Sequence, residues 1–243
     1  MRSVKGKVVV ITGASRGIGA ATARLFAKEQ AKLVLCGRDK KALSEVAGSL
    51  NLPKPHYSTV IADVTKASGM RKIVDSAYRK FGVIDIFINN AGVGVRKGIV
   101  LTTEKEYDLT FNTNVRAIYY SFRELIPRMK KQGGGQIINI SSMVSKQGVP
   151  NLAVYCASKA AVSILSEAVA GEVRNDNIKV SVLMPGSTGT GFMSHLSKDM
   201  KPSRKDKPRL TAEEVAEAVL FIAKQDKNAW TSMVDIRPLL LPK

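Results

Sequence analysis

Apolar positions along this chain fall into two alternating rhythms. Short β-branched runs stand at residues 7–12 (KVVVIT), 32–36, 56–62, 84–89 (IDIFIN), 136–140 (QIINI), 179–184 (KVSVLM) and 233–236. Between them, apolar residues recur at helical spacing over 17–30, 40–50, 66–81, within 104–131, over 152–173 and over 211–224. Near-continuous apolar strands separated by helices of ten or more residues predict a parallel sheet covered by helices on both faces. Right-handed crossovers then give a doubly wound α/β fold of about seven strands.

Sheets of this kind bind ligands beyond the carboxyl ends of their strands. The residues expected there are chemically suggestive. Gly13 follows the first strand, Arg38 the second, Asp63 the third, Asn90-Ala91-Gly92 the fourth, Ser142 the fifth and Pro185-Gly186 the sixth. Gly13, Gly17 and Gly19 open the first helix, where free backbone N–H groups and the helix dipole favour a pyrophosphate. The spacing differs from G-x-G-x-x-G, so the strand–turn–helix context carries this reading. Tyr155 and Lys159 lie four apart, on one face of a predicted helix, as an acid and a group that tunes it. An adjacent ammonium stabilises a phenolate and so lowers the phenol pKa. With six tyrosines in the chain, about half a Tyr-x-x-x-Lys is expected by accident. The pair gains meaning only from its surroundings.

A chain of 243 residues, 44% of them hydrophobic, buries one substantial core. It shows no Gly/Ser/Pro-rich linker and no repeat, which favours one domain over 1–243. The start lacks a signal-like core, and no apolar segment reaches the ~20 residues of a membrane span. The expectation is a cytoplasmic protein with no membrane partner. Two cysteines and two histidines without ligand spacing argue against a zinc site, so no metal is expected. The net charge of +18 raises a nucleotide- or nucleic-acid-binding protein without turnover as a rival. Basic residues are spread along the whole chain, which argues against a nucleic-acid partner. The densest window, 198–209, holds six basic and two acidic residues. It falls inside 186–210, a glycine-containing stretch that reads as a substrate lid.

These residues together resemble the short-chain dehydrogenase/reductase superfamily, in its single-domain form. The resemblance rests on Thr12-Gly13-x-x-x-Gly17-x-Gly19, Asp63-Val64, Asn89-Asn90-Ala91-Gly92, Asn114, Ser142, Tyr155-x-x-x-Lys159, and Pro185-Gly186 with Thr190. It implies a Rossmann-type sheet binding a nicotinamide cofactor, and a catalytic set of Asn114, Ser142, Tyr155 and Lys159. The cofactor-binding positions it implies are Gly13, Ser15, Arg16, Ile18, Gly19, Arg38, Asp63, Val64, Asn90, Ala91, Gly92, Tyr155, Lys159, Pro185, Gly186, Thr188 and Thr190. It also implies that Lys159 holds the nicotinamide ribose, and that the Asn114 backbone carbonyl holds a water linking Lys159 to solvent. A homodimer through the 104–131 and Tyr155 helices is implied as well. The tail lacks the glycine pair that often follows the last strand, which leaves dimer and tetramer open.

Hydride arriving at a carbonyl carbon leaves negative charge on oxygen, which needs a positioned donor. Tyr155 is expected to protonate that oxygen and Ser142 to hydrogen-bond it. An epimerase or dehydratase on the same framework is the alternative reaction. NAD-preferring relatives place an acid at the end of the second strand. Here the sequence is Cys36-Gly37-Arg38. Arg38 and Arg16 suit a 2′-phosphate, so NADP(H) is expected over NAD(H), unless Asp39 turns in. The basic lid suits an anionic or carrier-bound carbonyl substrate, with a 3-oxoacyl thioester as one form.

Overall fold

β-Branched runs pack well on a pleated surface that is covered on both sides. In the computed structural model, which describes residues 2–192 and 209–239, they form seven strands: β1 (Val8–Thr12), β2 (Lys32–Gly37), β3 (Tyr57–Ile61), β4 (Ile86–Asn89), β5 (Gly135–Ile140), β6 (Ile178–Pro185) and β7 (Met233–Ile236). Their order is β3-β2-β1-β4-β5-β6-β7, and every neighbouring pair is parallel. The connecting helices are α1 (Gly17–Lys28), α2 (Lys40–Gly48), α3 (Ala67–Phe81), α4 (Glu104–Phe111), α5 (Ala117–Lys131), α6 (Ala153–Val173) and α7 (Ala212–Ala223).

Strand residues alternate between two cores, as the period of two requires. Val9 and Ile11 pack with Phe26, Leu43 and Val219 from α1, α2 and α7. Val10 packs on the opposite face with Ile73, Phe122 and Val169 from α3, α5 and α6. Side chains fix where the helices begin. Thr103 and Glu106 form a capping box at α4, Thr211 and Glu214 another at α7, and Asp39 caps α2 by accepting from the Ala42 N–H. Such caps hold the helices that follow β2 and β4 in register with the strand ends.

Two features differ from the sequence expectation. The helix predicted within 104–131 is interrupted by a π-helical turn at Asn112–Arg116, where the Ala117 N–H donates to the Asn112 carbonyl, five residues back. Such turns cluster at functional positions, and this one carries Asn114. The second feature is α6. The stretch Ala153–Asp176 is long and apolar enough to cross a membrane by composition, with a mean hydropathy of 1.3, where no such segment was expected. Its buried Ser158, Lys159, Ser163 and Ser166 are hydrogen-bonded within the fold, to β5 among other partners, which identifies it as a core helix.

Candidate active site

The predicted residues converge on a cleft of about 950 Å³ at the carboxyl edge of the sheet. Its floor is the turn after β1. Gly13 and Gly17 have φ of +64° and +54°, conformations that disfavour any residue with a Cβ. A Cβ at Gly13 would stand 2.9 Å from the Ala91 Cα, and one at Gly19 only 2.3 Å from the Gly13 carbonyl oxygen. Gly19 therefore serves close packing, and it does not line the cleft.

The loop after β4 is fastened to this turn. Asn90 Nδ2 donates to the Thr12 and Gly13 carbonyls at 2.9 and 3.1 Å. Thr12 Oγ1 accepts from the Asn90 and Ala91 N–H groups at 3.0 and 3.1 Å and donates to the Ile88 carbonyl. Thr12 was not assigned a site role from sequence, since a strand-end threonine looks like an ordinary turn residue. On the other side, Thr188 and Thr190 line the cleft, and Thr190 stands over the turn, 3.2 Å from where a Gly17 Cβ would be. Backbone bonds join Leu210 to Ser187 and Gly189 at 2.8 Å each, closing the neck of the expected lid. Residues 193–208 of that lid, and most of the basic window, lie outside the described residues.

Ser142, Tyr155 and Lys159 meet at the far end of the cleft. Tyr155 begins α6, half-buried, its ring 5.9 Å from that of Phe192. Burial pushes its phenol up to about 12, against a hydrogen bond with Ser142 that pulls it down. Lys159 is 5% exposed. Its Nζ donates to the Ile140 carbonyl at 2.8 Å and lies 5.9 Å from the Tyr155 ring centre. Burial brings this ammonium down to about 8. The sequence predicted a phenol lowered by Lys159. The direction is reversed, because the Nζ faces the ring and a carbonyl, and desolvation dominates both groups. At neutral pH the phenol is therefore held in its proton-donating form.

Asn114 lies beneath the cleft, 1% exposed. Its side chain accepts from the Val93 N–H and donates to the Val93 carbonyl and to Ser158 Oγ, at 2.9, 2.8 and 2.9 Å. Ser158 Oγ in turn donates to the Tyr155 carbonyl at 2.8 Å. Asn114 thus joins the loop after β4 to the turn of α6 that carries Tyr155. Ser141 Oγ adds a bond to the Lys159 carbonyl at 3.0 Å. Ser158 and Ser141 are invisible as site residues in the sequence, because their partners are distant in the chain.

At the opposite end, Ser15, Arg16, Ile18, Arg38, Asp63 and Val64 line the cleft. Arg16 and Arg38 are exposed, and neither forms an ion pair among the described residues. Asp39 is engaged as the α2 cap. Asp63 accepts from the Thr65 N–H and Oγ1 at 3.0 and 2.9 Å. Cys36 is a buried free thiol, raised by burial to about 12, and so chemically quiet. Among the described residues no cluster of His, Cys, Asp and Glu could hold a metal. The residues fit a dinucleotide, since the cleft runs from a cradle that only glycines leave open to the Tyr155–Ser142 pair.

A glycine-lined turn at a helix start, a parallel sheet and a Ser–Tyr–Lys group at its carboxyl edge define a nicotinamide-dependent oxidoreductase fold. The short chain dehydrogenase family model matches residues 7–201, and the chain belongs to that family. An uncharacterised oxidoreductase of Staphylococcus saprophyticus is 34% identical over 98% of each chain. A 3-ketoacyl-(acyl-carrier-protein) reductase from Brucella melitensis, complexed with NADH, is 33% identical with a TM-score of 0.88, over 98% of this chain and 99% of that one. A metagenomic short-chain oxidoreductase in complex with NADP is 29% identical with a TM-score of 0.83, over the same shares.

Proposed function

We propose that the protein is an NADP(H)-dependent reductase that interconverts a carbonyl and an alcohol, working as one domain with Asn114, Ser142, Tyr155 and Lys159 at its centre. The observation that carries this reading is the shared cleft, in which the glycine turn and two unpaired arginines lie at one end and Ser142, Tyr155 and Lys159 at the other. When bound, the nicotinamide supplies a hydride to the substrate's carbonyl carbon. Gly13, Ser15 and Ile18 would hold the pyrophosphate, and Asn90, Ala91, Gly92, Pro185, Gly186, Thr188 and Thr190 would line the cofactor's path. Asp63 and Val64 would border its adenine end.

Ser142 orients the substrate oxygen by hydrogen bonding, and Tyr155 gives it a proton as negative charge develops there. The Lys159 ammonium favours the phenolate that results and offers N–H donors to the ribose. Asn114 positions the loop and helix on which Tyr155 depends. Arg16 and Arg38 would pair with the 2′-phosphate, for which guanidinium forks suit well. The alternative in which Asp39 binds the ribose is disfavoured, because that carboxylate already caps α2. Exposed Tyr107, Tyr119 and Ile164 on α4, α5 and α6 support a homodimer through those helices. A cytoplasmic setting accords with two free cysteines. Initial rates with NADPH and NADH at equal concentration test the cofactor assignment. Faster turnover with NADPH is expected, and a preference for NADH would overturn it.

A further inference from the structure

We infer that Arg96 is a specificity-determining residue that holds an anionic group on the substrate, so that the substrate class is a keto acid or other carbonyl compound with a carboxylate or phosphate beyond an apolar segment. The inference rests on the carbonyl-reductase reading and names what that site selects.

Five cationic side chains line the cleft: Arg16, Arg38, Arg96, Lys159 and Arg209. Asp63 is the one carboxylate among the described lining residues. Arg16 and Arg38 follow β1 and β2, at the end assigned to the 2′-phosphate. Lys159 is bonded to the Ile140 carbonyl, and Arg209 is also engaged. Arg96 remains, exposed and with no ion pair among the described residues. It follows β4, on the Tyr155 side of the sheet.

The loop that carries Arg96 is fixed on both sides of it. Val93 is held by two bonds to Asn114, and Val95 is buried. Lys97 is bonded to Glu106 at 2.5 Å, which ties the loop to α4. Gly98 passes beside Asn151, whose Oδ1 is 3.6 Å from where a Gly98 Cβ would be. The loop therefore runs past the start of α6, where Tyr155 stands. The cleft wall there is apolar, with Val93, Met143, Val144, Leu152 and Phe192. Apolar walls accept a carbon skeleton and select weakly, whereas a guanidinium fork at the cleft's mouth pairs bidentately with a carboxylate or phosphate and not with a neutral ester. Five cations against one acid also draw anions toward the cleft.

Two matched pairs test this: the γ-keto acid benzoylpropionate with its methyl ester for turnover, and phenylbutyrate with its methyl ester for binding to the NADP-loaded protein. In the wild type, the acid is expected to exceed its ester about tenfold to a hundredfold in kcat/KM and in affinity. In Arg96→Leu both acid-to-ester ratios fall to near one, and Arg96→Lys restores part of them. The ester gives each enzyme its own reference, so a general loss of activity leaves the ratio readable. Equal ratios in wild type and Arg96→Leu would overturn the inference while leaving the reductase reading intact. Arg96-dependent binding of phenylbutyrate with no reduction of any ketone would instead overturn the reductase reading. Loss of both would end the two together.

Discussion

Replacing Lys159 by methionine isolates the energetic burden of keeping an ammonium in this site. Burial takes the group from 10.5 to about 8. At 1.36 kcal/mol per pH unit, the native protein bears about 3 kcal/mol for holding that charge at pH 7. The sign follows from proton counting. Between pH 8 and 10.5 the unfolded chain keeps a proton that the folded chain has lost, so wild-type stability rises with pH across that window. Methionine fills similar space without a charge. It also forfeits the bond to the Ile140 carbonyl, which costs about 1–3 kcal/mol if that acceptor stays unpaired. Lost packing and the orphaned carbonyl weigh nearly equally at every pH, so they cancel when the variant–wild-type difference is followed with pH. From pH 7 to pH 10 that difference should move about 2.5 kcal/mol in favour of the wild type. Urea unfolding at fixed protein concentration measures it. A difference that stays flat over this range would refute the desolvated ammonium.

Arg38→Leu should raise the KM for NADPH about tenfold to a hundredfold and leave that for NADH within about twofold, since only the former has a 2′-phosphate to lose. Equal effects on both cofactors in steady-state kinetics would contradict the assignment. Asn114→Ala removes three hydrogen bonds, one of them fully buried, and should destabilise the fold by about 3 kcal/mol in urea titrations. It should also lower kcat more than it raises KM, as expected of a positioning residue. The pH profile of kcat/KM for reduction should hold steady up to about pH 8 and decline above it as Lys159 deprotonates; a profile flat to pH 10 would count against that role.

Much of this was legible from the chain because strand ends and special residues coincide. Gly13, Asn90, Ser142 and Gly186 stand after β-branched runs, and a parallel sheet carries all such positions to one edge. The seven strands and both helical layers follow the apolar rhythm closely. What escaped depends on contacts that leave no local mark. The π-helical turn at Asn112–Arg116 shifts hydrogen bonds by one residue, and nothing in Asn-Thr-Asn-Val-Arg announces it, while the partner of Asn114, Val93, lies 21 residues away in the chain. Helical spacing alone does not reveal that Ser158 and Ser166 of α6 are buried against Asn114 and Asn139. The pKa direction of Tyr155 also escaped. Spacing places Lys159 one turn away but does not reveal that its Nζ points at a carbonyl and a ring.

The central claim is that Tyr155 is the proton donor of a carbonyl reductase. Its most direct test compares NADPH oxidation by the wild type and Tyr155→Phe across aldehydes, diketones, keto acids, β-ketoacyl thioesters, sugars and steroids, with NADPH affinity followed by calorimetry. The account predicts that the wild type reduces at least one class. The variant should bind NADPH within about twofold of the wild type while losing roughly 100-fold or more of kcat, the usual span for a lost general acid. A phenylalanine variant that reduces the same substrate at the wild-type rate would contradict it.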